Sequence, residues 1–265
     1  MRASPHVSLI FVNYRSADYL ANALKSLLAC EPETDFWEVI VVNNDVSENQ
    51  TLLKLQQTFP FLLVESGANA GFARGNNLGA KRARGEILGF INPDVIWTNA
   101  RLNEIAYAFD TDRTLGVLGM TLLDEDKKLE AWSAGQEPSL INLFYNNLFP
   151  SRRILKKAEK VSSPDWVSGG ALFVRAEIFS ASGGFDERFF LYFEDVDLCA
   201  SVRRLGFSVK RYAALSLIHL SGKSQNSTHD QKKHFFESQR KYFNKHRPKW
   251  ERWALNYLQI LLNKT

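Results

Sequence analysis

The feature that most constrains this chain is the alternation of buried strand and amphipathic helix through its first third. Val7 to Asn13 is a continuous apolar, β-branched run that reads as a strand covered on both faces. Ser16 can cap a following helix whose Leu20, Leu24, Leu27 and Leu28 fall on one side. Glu38 to Val42 is a second buried strand, Ser47 opens another helix, and Phe61 to Glu65 is a third strand. A Gly/Asn-rich loop from Gly67 to Gly75 leads into a short helix that stops at Gly85, and Glu86 to Ile91 is a fourth strand. Units of this length predict an α/β fold, a mostly parallel sheet with helices on both faces. Ligands bind such sheets beyond the carboxyl ends of the strands. Asn43-Asn44-Asp45 and Asn92-Pro93-Asp94 both fall there.

The second half has a different texture. Residues 124–163 are charged and irregular, a loop-and-helix region without clear period. Strand-like segments return at Trp166 to Arg175, Ser208 to Arg211 and Ala214 to Leu220. Between them GGFDERFFLYFEDVDLCASVRRLG reads as a loop and then a helix ending near Gly206. From Thr228 the chain looks helical, interrupted at Pro248. The division expected is one domain over 1–222 and a helical C-terminal extension over 223–265.

Bulk properties narrow the class. With 45% hydrophobic and 23% charged residues the chain is an ordinary globular sequence, long enough to bury one large core. It lacks a run of about 18 apolar residues that would span a bilayer. Its N-terminus reads as a strand rather than a signal peptide, and Cys30 and Cys199 are too few for a disulfide framework or a thiolate metal cluster. A cytoplasmic location is the expectation. The net charge of +4 is uneven: from His219 onward ten Lys or Arg stand against three Asp or Glu, leaving the preceding part slightly acidic. A basic, aromatic-rich tail implies an anionic partner. A membrane surface or a lipid-linked phosphate meets that description as well as a nucleic acid does.

Several side chains carry candidate chemistry. Asp94, just after a buried strand and a rigid proline, suits a hard divalent cation bridging phosphate oxygens, although Asn, Pro and Asp are also turn residues. His219 closes the run LSLIHL; such a histidine is usually packed, and becomes a metal ligand only if the fold returns it beside Asp94. Glu194, Asp195 and Asp197 open a helix after the aromatic run FFLYF. Acids complement a helix N-terminus, yet a carboxylate against an apolar wall also acquires the raised pKa of a general base. The loop Asn69 to Asn77 offers backbone amides, two glycines and Arg74 as a diphosphate wall, without the spacing of a P-loop.

Six segments in this order resemble the family 2 glycosyltransferases of the GT-A fold, most closely their bacterial rhamnosyltransferase-like branch. They are VSLIFVNYRS, VIVVNND, NAGFARGNNLGAKRARGEILGFINPD, WVSGGALFVRAEIF, GGFDERFFLYFEDVDLCASVRRLGF and IHLSGKS, spanning roughly 7–222. The resemblance implies a Rossmann-like mixed sheet and a divalent cation, Mg²⁺ or Mn²⁺, on Asp94 with His219 as additional ligand. It implies Asp195 as catalytic base with Glu194 beside it, and an acceptor bordered by Trp166, Gly169 and Gly170. It implies a nucleotide-sugar pocket of Val12, Asn13, Tyr14, Asn43, Asp45, Arg74, Asn77, Asn92 and Asp94. The chain departs from the family in having Asn43 where an aspartate is usual, with the acid at Asp45, and in a single-carboxylate metal motif.

The reaction so implied is inverting transfer of a sugar, best guessed as L-rhamnose from dTDP-L-rhamnose, to a hydroxyl of a surface-polysaccharide or lipid-linked glycan. The expected partners are a dTDP- or UDP-sugar, a glycan acceptor and, through the tail, the inner face of the cytoplasmic membrane, with no nucleic acid. The tail aromatics Phe235, Phe236, Tyr242, Phe243, Trp250, Trp253 and Tyr257 fit either an interfacial helix or packing on the domain or a dimer partner. The rival readings are a UDP-sugar-dependent family 2 transferase, a sugar nucleotidyltransferase, and a non-catalytic glycan-binding protein. The second should carry a Gly-rich basic signature after its first strand, where Asn13-Tyr14-Arg15 stands instead.

Overall fold

The structure is a computed structural model that describes residues 5–33, 35–99, 101–130, 132–148, 161–220 and 228–261. The first half follows the alternation: β1 (Val7–Asn13), α1 (Ala17–Cys30), β2 (Trp37–Asn43), α2 (Asn49–Thr58), β3 (Leu62–Glu65), α3 (Gly71–Ala80) and β4 (Ile87–Ile91). These strands lie in the order β3-β2-β1-β4, all parallel. All of β1 and β4 is buried, as continuous apolar runs in a parallel sheet require. The register pairs Val7 with Trp37 and ends with Asn13 beside Asn43, so two polar side chains finish together at the strand ends.

Three local expectations are corrected. The helix expected after Gly75 starts at Gly71 and stops at Ala80, well before Gly85. Glycines read as loop, but here Gly71, Gly75 and Gly79 share one helix face. A Cβ at Gly75 would lie 2.9 Å from Val12, and one at Gly79 2.5 Å from Ile10. The glycines thus let α3 lie against β1 at a distance no larger residue allows. Ser16 occupies the N-cap of α1 without capping it: its hydroxyl donates to Asn13 Oδ1, and the Glu48 carboxylate accepts the Ser16 and Ala17 N–H instead. Ser47 does not open α2 but sits in a 3₁₀ turn, Val46–Glu48, capped by Asp45.

The second half continues with β5 (Val95–Trp97), α4 (Leu102–Thr111), β6 (Leu115–Leu123), β7 (Ala134–Gly135), α5 (Leu140–Leu148), β8 (Val161–Ser162), β9 (Trp166–Val167) and β10 (Ala171–Arg175). It ends with α6 (Ala176–Ala181), α7 (Glu194–Arg204), β11 (Ser208–His219), α8 (Thr228–His246) and α9 (Lys249–Leu261). The sheet extends from β4 through β10, β6 and β11 to β5, with β8 paired to β11, while β7 and β9 form a separate two-stranded sheet. β10 runs antiparallel to both neighbours, β6 and β11 are parallel, and β5 is antiparallel to β11. The mostly parallel sheet is therefore confined to the first half, and the whole sheet is mixed. The two strands expected over 208–220 are one, with a shift of register between Tyr212 and Ser216.

One core lies under α1 and α4, and a second lies on the opposite face of the sheet under α3, α6 and α7. A third joins Phe189, Phe193 and Val196 to Tyr242, Phe243 and Leu255 of the tail helices. No described helix is long and apolar enough to cross a membrane.

Candidate active site

A single register places the first pair of candidate residues. β5 follows Asp94 directly, and its antiparallel pairing puts Val95 opposite His219, while the Leu220 N–H donates to the Asp94 carbonyl. His219 Nε2 then stands 3.3 Å from Asp94 Oδ1 and 3.3 Å from Asn92 Nδ2. Its Nδ1 is 3.0 Å from Glu130. The fold thus returns His219 to Asp94 and adds two neighbours, Asn92 and Glu130. Burial works against the imidazolium, yet the two flanking carboxylates outweigh it and hold the His219 pKa up at about 10. Asp94 is buried, and its Oδ1 faces His219 Nε2 across the 3.3 Å ion-pair contact. A buried carboxylate oxygen and an imidazole nitrogen converging at 3.3 Å fit a cation that would replace the proton between them. The described residues hold no group of three or more His, Cys, Asp or Glu that would enclose a metal alone. The donor set suits an ion that takes its remaining oxygens from water and diphosphate.

The second cluster is built on strain. Tyr192 and Phe193 both have φ of 67°, in the left-handed region that bulky side chains avoid. Their contacts hold them there: Phe193 packs on Phe235 and Tyr242 of α8, and the Ser238 hydroxyl donates to the Leu191 carbonyl. The turn delivers Glu194 and Asp195 to the N-terminus of α7. The half-buried Asp195 accepts the Gly169 N–H at 2.7 Å through Oδ2 and the Val196 N–H at 2.8 Å through Oδ1. Burial pushes its carboxyl above the usual aspartate range, and those two N–H groups hold part of the rise back. Glu194 is buried, and burial first, then the neighbouring Asp195, raise it well above the ordinary glutamate value. Its Oε2 has no hydrogen-bond partner among the described residues.

Gly169 and Gly170 connect the clusters. A Cβ at Gly169 would lie 3.2 Å from Phe72 and 3.4 Å from Asp195, and the Asn92 N–H donates to the Gly170 carbonyl. Phe72 lines a cavity of about 300 Å³ beyond the carboxyl ends of β1 and β4, together with Val12, Tyr14, Asn44, Asn92 and Phe190. Trp166 sits on β9, its indole N–H held by the Gln136 carbonyl.

The remaining candidates are placed elsewhere. Asn13 and Asn43 are buried beneath the cavity, Asn13 donating to Glu48 and to Asn43 Oδ1, and Asn43 bonding Asn49 and Glu65. Asn43 Oδ1 also accepts the Asp45 N–H, so the amide oxygen is already engaged. Asp45 pairs with Arg15 at 3.2 Å. Arg74 is exposed, 4.0 Å from Glu187, and Asn77 clasps the backbone of Phe185. Neither faces the cavity.

The sequence profile of glycosyl transferase family 2 matches residues 8–178. The chain belongs to that family. The transferase is 26% identical over 223 residues to the rhamnosyltransferase WbbL of Escherichia coli K12, covering 80% of this chain and 83% of that one. It is 27% identical over 234 residues to an N-acetylglucosaminyl-diphospho-decaprenol L-rhamnosyltransferase of Mycobacterium tuberculosis, covering 80% of this chain and 75% of that one. Its fold matches the GT-A enzymes. A mannosyltransferase of Pyrobaculum calidifontis, solved with GDP-Man and Mn²⁺, superposes with a TM-score of 0.63 at 18% identity. The superposition covers 92% of this chain and 64% of that one, so the transferase spans slightly under two thirds of that protein.

Sequence reasoning passed over three residues of the transferase's site, Glu130, Phe190 and His234, and gave Asn44 of the cluster 43–45 no role of its own. Glu130 lies in an irregular charged stretch and gives no local signal. Asn44 donates to the Gly71 carbonyl and fixes the start of α3. Phe190 and His234 stack with ring centroids 4.8 Å apart, closing the cavity from the α8 side. Nothing in the sequence links 190 to 234.

Proposed function

We propose that the transferase moves L-rhamnose from dTDP-L-rhamnose, with inversion, to a hydroxyl of a surface glycan carried on a lipid. The names of the two bacterial relatives support the sugar, and that of the mycobacterial one supports the lipid-linked acceptor. The observation that carries the chemistry is Asp195: a carboxyl raised by burial, held by two backbone N–H groups beside the cavity wall. In this reading the acceptor hydroxyl gives its proton to Asp195 as its oxygen bonds the anomeric carbon, and the bond from that carbon to the diphosphate breaks. Trp166, Gly169 and Gly170 border the acceptor. Val12 and Tyr14 seat the nucleotide, with Asn13, Asn43 and Asp45 shaping the floor behind them.

Asp94 and His219 would hold a divalent cation, Mg²⁺ or Mn²⁺, with Glu130 orienting the imidazole from its far nitrogen. When bound, that ion offsets the charge gathering on the departing diphosphate. Arg74 and Asn77 contribute through the packing of α3 in this scheme rather than by contact with the donor. A nucleotide sugar and a lipid-borne acceptor together put the reaction in the cytoplasm, at the inner face of the membrane.

A thermal-shift series tests the donor. With Mn²⁺, dTDP-L-rhamnose should raise the melting temperature more than UDP-sugars do. Stabilisation by UDP-sugars alone would replace the rhamnosyl assignment with the UDP-sugar alternative.

A further inference from the structure

α9 is built inside out. The face it packs against the domain carries Glu251, Leu255 and Gln259, all buried. The face it turns to solvent carries Trp250, Trp253, Tyr257, Ile260 and Leu261, each more than half exposed and Trp253 77% so. At helical spacing these five fall within an arc of about 100°, with Lys249 on its border. A helix folded for water alone has the opposite arrangement. The Trp253 and Tyr257 rings lie parallel, 9° apart in plane.

A second helix, joined to α9, is also apolar toward solvent. Ile141, Phe144 and Tyr145 of α5 are also more than half exposed, while Leu140 and Leu143 pack into the same core as Leu255. The Leu140 N–H donates to Glu251 Oε2 at 3.0 Å. The buried carboxylate of Glu251 therefore fastens the start of α5 to α9. Eight large apolar side chains on two joined helices exceed the scattered exposure normal for a soluble surface.

We propose that this two-helix face rests on an anionic membrane surface. Charge chooses the occupant. The chain from His219 onward carries ten Lys or Arg against three acids. A second copy docked about a two-fold axis would set these like charges against each other, whereas phosphate headgroups attract them. Trp and Tyr seat at headgroup depth, and a bordering lysine can reach the phosphates with its stem buried. The surface would hold the domain at the membrane that carries a lipid-borne acceptor, and it stands whichever sugar is transferred.

The test is vesicle co-sedimentation of the full chain, without donor, acceptor or metal. Phosphatidylglycerol-rich vesicles should pull the protein down and shift its tryptophan emission to shorter wavelength. Pure phosphatidylcholine vesicles, or added salt, should release most of it. The pair Trp253→Ser and Tyr257→Ser should weaken partitioning about ten-fold or more, and Phe144→Ser should weaken it less. Because these side chains are solvent-exposed, melting curves and transfer to a water-soluble acceptor analogue should be unchanged. Three outcomes overturn the proposal: wild type left in the supernatant, the double variant sedimenting like wild type, or a wild-type dimer that the double variant converts to monomer. None of them bears on the transferase assignment, which the soluble-acceptor assay reads separately.

Discussion

The two halves of the sheet solve different problems. From β3 to β4 every strand is parallel, every connection is short, and the glycine face of α3 lets helix and sheet approach closely. From β10 to β5 the directions mix, and the chemical groups come from residues distant in sequence: Asp94 with His219, Gly169 with Asp195, Phe190 with His234. Local regularity builds a wall for a ligand. Setting Asp94 beside His219, and Asp195 beside Gly169, takes long-range pairing. On the proposed function, the first half would seat the donor and the second would supply most of the reacting groups.

The sharpest test of that separation is Asp195→Asn. It should lower kcat by about a thousand-fold, the range of general-base loss, while the donor Kd measured by calorimetry stays within about two-fold. A matching loss of donor affinity would falsify the division. Next is Tyr242→Ala, which empties the core beneath Phe193. The cost should be about 3–5 kcal/mol in denaturant unfolding, and surviving protein should lose turnover more than donor binding. On the donor side, Gly79→Ala forces a Cβ to 2.5 Å from Ile10 and should cost about 1–3 kcal/mol. Here the donor KM should suffer before kcat.

Glu194→Gln probes the buried acid whose folded pKa is raised. Such a group favours folding while protonated and loses that contribution as pH rises through its folded pKa. Wild type and Glu194→Gln should therefore melt alike in mild acid, with the variant gaining steadily as pH increases; parallel curves at every pH would remove the charge argument. The smallest effect expected is that of His234→Ala, a rise of about three-fold in donor KM from loss of the ring that closes the cavity.

How much of this was legible follows the same line. β1, β2 and β4 are readable because burial on both faces leaves unbroken apolar runs, and the polar clusters at their ends locate the cavity. The pairing of His219 with Asp94 depends on one register between β5 and β11, and β5 has only three residues. Glu130 has no periodicity to betray it. Ser16 looked like a cap because cap propensity is local, whereas the group that caps α1, Glu48, arrives from beyond the next strand. Gly71 and Gly75 looked like loop because a sequence shows their missing side chains and not the groups, Phe190 and Val12, that fill the space. Two of the seven tail aromatics proved to be core: Tyr242 and Phe243 are fully buried, while Trp250, Trp253 and Tyr257 face outward.

The left-handed pair at Tyr192 and Phe193 also has a consequence in time. That turn is held by Phe235, Ser238 and Tyr242, about forty to fifty residues further along the chain. During synthesis the parallel half can fold as it emerges, because its contacts are close in sequence. The turn that carries Asp195 cannot be set until α8 has followed. On the proposed reading, neither the base nor the closed cavity exists until α8 has been made, because His234 and the residues that hold Phe193 arrive together.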